Sequence, residues 1–427
     1  MRISELEGQR VAIWGYGREG RSVLAALRWR LPSQPVTVFC SVDEAASLEQ
    51  LQDPALTIAT QVDAAALSAF DVVVKSPGIS PYTSPAADAA LNGVRVIGAT
   101  TLWMAEPKTG ARLCVTGTKG KSTTTALIAH LLRAGGVRTA LAGNIGLPLL
   151  ELLDVQPPPA VWAIELSSYQ AGEARDVDVA VVLNLFPEHL DWHGTEQRYF
   201  DDKLALVTRA RPRVAVLNAA DARLGEIDIP SGTAVAWFGH GDGWHLRDGL
   251  GHRAGREVID PRTLPLPGRH NGLYLCAALA AIEALGHDAV ALAPHASLAA
   301  LDCFKGRRVA ILVGGYDRGV DWGVFCERLA TEPVAAVVTM GQNGPTVHEK
   351  LRPLAVGDRF VLEQAATMED AVRLGLAALD QNGVLLLSPG APSFPRYRDY
   401  TERGRHFARA AGFDPDRISA IPGLGVA

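Results

Sequence analysis

Short apolar runs recur along the whole chain, each closing on glycine or polar residues and followed by a stretch with helical spacing. The first is RVAIWGYG (10–17), which leads into the helix-like GRSVLAALRWRL (20–31). PVTVFC (35–40) and DVVVKSPGIS (71–80) repeat the pattern, and GVRVIGATTLWMAE (93–106) closes the section. A second section opens on RLCVTGTKGKS (112–122) and carries AVWAIELSS (160–168), VAVVLNLF (179–186) and VAVLNAAD (214–221). It ends in an alanine-rich helical stretch over 271–286. A third section holds RRVAILVGGYDRG (307–319), VAAVVTMG (334–341) and GVLLLSPGAPSF (383–394). Continuous apolar runs, rather than strict alternation, predict strands buried on both faces of parallel sheets. The expectation is an α/β protein of three domains, 1–106, 107–292 and 293–427. Ligands of open parallel sheets collect at the carboxyl ends of strands, which is where every polar motif below falls.

Size and composition agree with this picture. The 427 residues suffice for about three domains of ~100–200 residues each. With 48% hydrophobic and 20% charged residues the chain has enough apolar surface for packed cores. A net charge of −5 argues against a nucleic-acid partner. Cys40, Cys114, Cys276, Cys303 and Cys326 form no CxxC pair, so neither a zinc site nor a disulfide framework is expected. No apolar run reaches the ~20 residues of a membrane helix, and the charged start MRISELEGQR lacks a signal-peptide core. A soluble, cytoplasmic protein is expected.

The segment LCVTGTKGKSTTT (113–125) carries the sharpest chemistry. Gly117 and Gly120 leave room for backbone N–H groups to approach an anion, and the helix start behind them adds positive potential. Lys121 would meet the β- and γ-phosphates, Ser122 a magnesium ion, and Thr118, Lys119 and Thr123 complete the loop. The pattern GxxxxGK[ST] is incomplete, because Val115 takes the place of its first glycine; an ordinary glycine-rich turn capped by Ser122 is the other reading. Glu165 ends a strand, where a carboxylate buried without a cation would be costly; an exposed strand-end glutamate is the alternative. Alone, His189 reads as packed or solvated and Lys203 as a solvated helix charge. GYGREG (15–20) suits a dinucleotide, yet Cys40 and Ser41 stand where its acidic residue belongs, which weakens that reading.

Together, TGTKGKST, GNIG (143–146), ELSSYQ, NLFPEHLDWHG, Lys203 and LPGRHNG (266–272) resemble the Mur ligases, ATP-dependent amide ligases of peptidoglycan precursor synthesis. GYGREG, KSPGIS, LLLSPGAPSF and ERGRHFA look most like the branch that joins glutamate to UDP-N-acetylmuramoyl-L-alanine. The resemblance implies an N-terminal Rossmann-like domain for the UDP-sugar, a central P-loop ATPase with a mostly parallel sheet, and a Rossmann-like C-terminal domain for the amino acid. It also implies a monomer needing ATP and two Mg²⁺ sites. Lys121 and Ser122 would serve ATP and Mg²⁺, with Glu165 a metal ligand and Asn271 at the nucleotide. His189 and a carbamylated Lys203 would hold the second ion. Asn144, Ser167 and Gln170 would line the muramoyl-alanine end, and Gly17, Arg18, Glu19, Ser76, Pro77 and Gly78 the UDP-sugar. The reaction would pass through an acyl phosphate. A folylpolyglutamate-type ligase, a non-catalytic nucleotide-binding protein and a nicotinamide-dependent oxidoreductase are the rival classes.

The chain departs from that branch twice. A PHR-containing segment and a D-S-x-x-T motif belong before the third domain, whereas EALGHDAVALAPHASLAALDCFKGRRVAIL (283–312) runs straight through. Either the segment is deleted or the sequence as given leaves residues out. The second is favoured, and it predicts neighbours between Ala289 and Ser297 lying farther apart than a ~1.33 Å peptide bond. Secondly, GGYDRG places Arg318 where D-glutamate ligases carry lysine. In SFPRYRDY, Ser393 matches the pattern, Tyr400 replaces phenylalanine, and Arg396 and Arg398 add cations. Arginine forks suit a carboxylate, and these loops resemble the L-glutamate subgroup, with D-glutamate the alternative.

Overall fold

The computed structural model describes residues 1–145, 147–259, 261, 269–293, 308–315, 322, 325–326, 329–330, 333–357, 359–380, 382–387, 396–397 and 400–414, without the side chains of 269, 400 and 401. The first sheet comprises β1 (Val11–Trp14), β2 (Val36–Phe39), β3 (Leu56–Ala59), β4 (Val72–Lys75) and β5 (Arg95–Gly98), all parallel, in the order β3-β2-β1-β4-β5. The second comprises β6 (Ala111–Thr116), β7 (Thr139–Gly143), β8 (Val161–Glu165), β9 (Val179–Val182), β10 (Val214–Asn218) and β11 (Ala234–Phe238). These are also parallel, in the order β11-β10-β9-β6-β8-β7. Both sheets belong to one compact unit, with a small antiparallel sheet of β12 (His245–Arg247), β13 (Leu250–Arg253) and β14 (Arg256–Ile259). A second unit is built on β15 (Val309–Val313), β16 (Ala336–Met340), β17 (Val361–Ala365) and β18 (Val384–Leu387), parallel in the order β17-β16-β15-β18.

The expected α/β class is therefore found. Every residue of β4, β8, β9 and β16 is buried, as strands covered by helices on both faces must be. In the first unit a single apolar core runs through both sheets and includes the Trp103–Trp162 pair, ring centroids 5.1 Å apart. Strands β7 and β17 and the β12–β14 sheet do not stand out in the sequence, because TALAG, VLEQA and HLR lack a continuous apolar run.

Strand order creates the functional crevices. β1 lies between β2 and β4, and β6 between β9 and β8, so the chain leaves these central strands in opposite directions and opens a gap at their carboxyl ends. GYGREG and SPG occupy the first gap, the 117–122 loop the second.

Residues Ala289–Ala293 continue helically, so the expected break is not found there; residues 294–307 lie outside the described residues. Cys40, Cys114, Cys276 and Cys326 are free thiols, and Cys303 is not described. No helix among the described residues is long and apolar enough to cross a membrane.

Candidate active site

The loop after β6 turns through Gly117 and Gly120, both at positive φ, into the helix Lys121–Ala134. A Cβ on Gly120 would sit 2.2 Å from the Tyr274 ring, so glycine is required both for its φ of +86° and for the close approach of the helix Arg269–Ala284. Asn271 lies three residues, nearly one turn, before Tyr274 on that helix. The loop is braced from outside. Asn184 accepts from Lys119 N at 2.8 Å and donates to Lys119 O at 3.0 Å, and the Thr118 hydroxyl lies 2.8 Å from that of Tyr199. Lys119 pairs with Glu188. Thr123 follows in the first helical turn.

Cations converge here. Lys121 Nζ donates to Gly117 O and Thr118 O at 3.1 Å each, and Lys203 Nζ reaches Gly117 O at 2.8 Å from the helix Glu196–Thr208. Thr195 caps that helix by accepting from Arg198 N at 3.2 Å. Lys203 is 2% exposed, and burial, reinforced by Lys121, pushes its ammonium down to about 7. Burial also lowers Lys121, against the pull of Glu165 and Glu188.

Facing them, Glu165 at the end of β8 is 1% exposed and accepts from Ser122 Oγ at 2.7 Å and Asn144 Nδ2 at 2.8 Å. The first turn of the helix after β6, the end of β8 and the residue after β7 thus supply a hydroxyl, a carboxylate and an amide to one spot. Among the described residues no three His, Cys, Asp or Glu gather as a metal cage. One carboxylate and one hydroxyl beside a phosphate loop suit Mg²⁺, which keeps waters and phosphate oxygens as its other ligands. His189, at φ +55°, begins the short helix Leu190–His193 with its ring 5.3 Å from Tyr169; burial lowers its pKa, with Glu188 opposing and Lys203 adding. Ser167 Oγ donates to Gln170 Oε1 at 2.8 Å, closing a turn directly after β8.

The carboxyl ends of β1 and β4 in the first sheet carry the second group of candidate residues. Gly17 caps the helix Arg18–Arg30, and Ser76 Oγ donates to Gly15 O at 3.2 Å, joining GYGREG to SPG. A Cβ on Gly20 would meet Gly15 O at 2.0 Å, so this glycine lets the helix lie against the turn. Pro77 O accepts from Trp192 Nε1 at 3.0 Å, and a Cβ on Gly78 would project into open space. Burial pushes the Glu19 carboxyl up to about 7, with Arg18 opposing and Glu173 and Glu151 adding. A raised carboxyl carries no penalty below the unfolded value of ~4.5, and the whole of it once pH exceeds about 7. Glu19→Gln should therefore add at most ~3 kcal/mol of stability at pH 8, seen as a higher Tm, and change it little at pH 4. Thermal melts of both proteins at the two pH values test this; an equal difference at both would contradict it.

The structure thus gathers Gly117 to Thr123, Asn144, Glu165 and Lys203 directly, and places Ser167, Gln170, His189 and Asn271 on adjoining segments. Arg318, Ser393 and Arg398 lie outside the described residues; Tyr400 begins the helix Tyr400–Ala410 without a described side chain. Arg396 Nη1 donates to Ala366 O at 3.0 Å. Sequence reasoning missed Asn184, Tyr199 and Tyr274 as supports of the loop; the one available signal was Asn184's position just beyond a strand end.

Comparison with known proteins bears on this geometry. Residues 115–282 match the Mur ligase middle domain. The whole chain is 55% identical to the UDP-N-acetylmuramoyl-L-alanine--L-glutamate ligase of Xanthomonas campestris pv. campestris, covering all of that protein. It is 54% identical to the protein of the same name from Xylella fastidiosa, again with full coverage of both. It is 36% identical to the one from Micromonospora sp. over 96% of this chain and 98% of that protein. The Xanthomonas alignment runs over 469 positions against 427 residues here, so at least 42 positions have no counterpart in this chain.

Proposed function

The chain belongs to the Mur ligase family, and from that premise we propose that it joins L-glutamate to the alanine carboxylate of UDP-N-acetylmuramoyl-L-alanine in an ATP-driven reaction. The observation that carries this reading is the Ser122–Glu165–Asn144 set facing Lys121 and Lys203 across the 117–120 loop. A carboxylate is a poor electrophile. Its oxygen first attacks the γ-phosphorus of ATP, releasing ADP and leaving an acyl phosphate. The glutamate amine then attacks the acyl carbon, loses a proton and expels phosphate. Three anions must meet, so the cations at the loop offset a repulsion that would otherwise block the encounter.

Ser122 and Glu165 would hold one Mg²⁺, and His189 and Lys203 a second. The ions supply Lewis acidity and neutralise phosphate charge. Lys203 suits carbamylation: burial favours the neutral amine that captures CO₂, and the carbamate oxygens replace a charge that would repel a cation. Asn271 would face the nucleotide, and Asn144, Ser167 and Gln170 the muramoyl-alanine end. Residues 1–106 (through Gly17, Arg18, Glu19, Ser76, Pro77 and Gly78) would take the UDP-sugar. Residues 107–292 would take ATP and 293–427 glutamate, the last through Arg318, Ser393, Arg396 and Tyr400. A cytoplasmic monomer fits these soluble substrates. The test is phosphate release from ATP, Mg²⁺ and UDP-N-acetylmuramoyl-L-alanine with either glutamate enantiomer. L-Glutamate should support release at least about tenfold faster, a gap that ~1.4 kcal/mol of discrimination provides. No release with either would overturn the function, and preference for D-glutamate would overturn the chirality.

A further inference from the structure

The segment after β4 is tied to the region that carries His189 and Lys203. Trp192 Nε1 donates to Pro77 O at 3.0 Å, Ser80 Oγ to Trp192 O at 2.6 Å, and Tyr82 OH to Asp202 Oδ1 at 2.6 Å. From Asp202 the contacts continue inward: Oδ2 lies 2.7 Å from His193 Nδ1, and His193 Nε2 lies 3.0 Å from Ser168 Oγ. Asp202, His193 and Ser168 are 5%, 0% and 4% exposed. A carboxylate only accepts, so Nδ1 donates to Asp202, while Nε2 and the Ser168 hydroxyl share the second hydrogen bond. Both carboxylate oxygens and both ring nitrogens are satisfied.

Ser168, His193 and Asp202 stand in the order of a nucleophilic triad. Ser168 is nevertheless closed off from any substrate carbonyl, so the row acts through its neighbours. Tyr82 follows Ser76–Gly78, Ser168 lies inside the Ser167–Gln170 turn, His193 ends the segment begun by His189, and Asp202 precedes Lys203. Buried polar rows contribute little net stability compared with apolar packing of the same volume, which leaves geometric specificity as their advantage.

We propose that Asp202 and His193 are positioning residues. Resting on the ligase reading above, the row Tyr82–Asp202–His193–Ser168 holds the sugar-nucleotide segment, the muramoyl-alanine turn and the Lys203 helix in one register. The alanine carboxylate then arrives in line with the γ-phosphate. A displacement of 1 Å at a reacting centre costs on the order of 100-fold in rate, so a loosened row is visible in kcat.

The experiment uses the full chain and the variants Tyr82→Phe, Ser168→Ala and their combination. Tyr82→Phe removes one hydroxyl and keeps the ring against Trp192, whose centroid is 5.5 Å away. Steady-state phosphate release is measured with UDP-N-acetylmuramoyl-L-alanine varied and then with ATP varied, alongside thermal melts. Each single variant should lower kcat roughly 5–20-fold, a fraction of the cost of full misplacement, with KM for ATP within about twofold of wild type. The double variant should lose little more than the worse single, because the two sites break one row. Single variants with kcat within about twofold of wild type would overturn the proposal, as would losses that multiply in the double. Lower Tm with unchanged kinetics would mark a structural role only and overturn it too. An inactive wild type would remove the ligase reading and this inference with it; an active wild type matched by its variants removes this inference alone.

Discussion

Replacing Lys203 with alanine is expected to slow glutamate-dependent phosphate release by about 100- to 1,000-fold, the size of effect seen when a preorganised charge partner is removed from an active site. The side chain is held by three independent features: the Thr195-capped helix, burial at 2% exposure, and the bond to Gly117 O. No other described residue reaches that carbonyl from the same helix. Alanine supplies neither the ammonium beside the loop nor, once carbamylated, the anionic oxygens for a metal. High bicarbonate should not restore the variant, because the amine that would take up CO₂ is gone. A fully active Lys203→Ala would exclude both roles. Binding of ATP to the purified variant and its thermal melt separate lost chemistry from lost structure.

Glu165→Gln should have the second-largest effect, lowering kcat/KM for Mg-ATP by about 100-fold and moving the midpoint of Mg²⁺ activation upward by about tenfold. The amide has the shape of the carboxylate but not its charge, and Mg²⁺ selects hard anionic oxygen. Stability should move the other way or not at all. Without a metal, glutamine can still accept from Asn144 Nδ2 through its oxygen and donate to Ser122 Oγ through its nitrogen, so neither partner is left unsatisfied. Activity against Mg²⁺ concentration and a metal-free melt are the two readings. An unchanged Mg²⁺ midpoint would remove Glu165 from the metal site, and a large fall in Tm would assign it to structure.

The α/β class and the places where chemistry could occur were legible in the amino-acid order alone. Buried parallel strands read as unbroken apolar runs, and loops at their carboxyl ends read as glycine, lysine and hydroxyl clusters; both signals are local. The sequence also singled out Lys121, Ser122 and Glu165 by residue type and position relative to a strand end, whereas His189 and Lys203 stood out only through the resemblance to the Mur ligases. Short strands of mixed character, such as β7, β17 and the β12–β14 sheet, were not legible, since their neighbours rather than their own pattern make them strands. Which side chains meet became visible in the folded chain alone. Ser122 and Glu165 are brought together by β6 and β8 pairing in parallel, and Lys203 meets Gly117 across 86 residues. Tyr82 finds Asp202 across 120 residues, and no spacing along the chain announces that bond. Such contacts follow from strand order and helix packing, which depend on the burial of the whole chain at once. Local sequence therefore fixes what each residue can do, while the packed core fixes what it does it with.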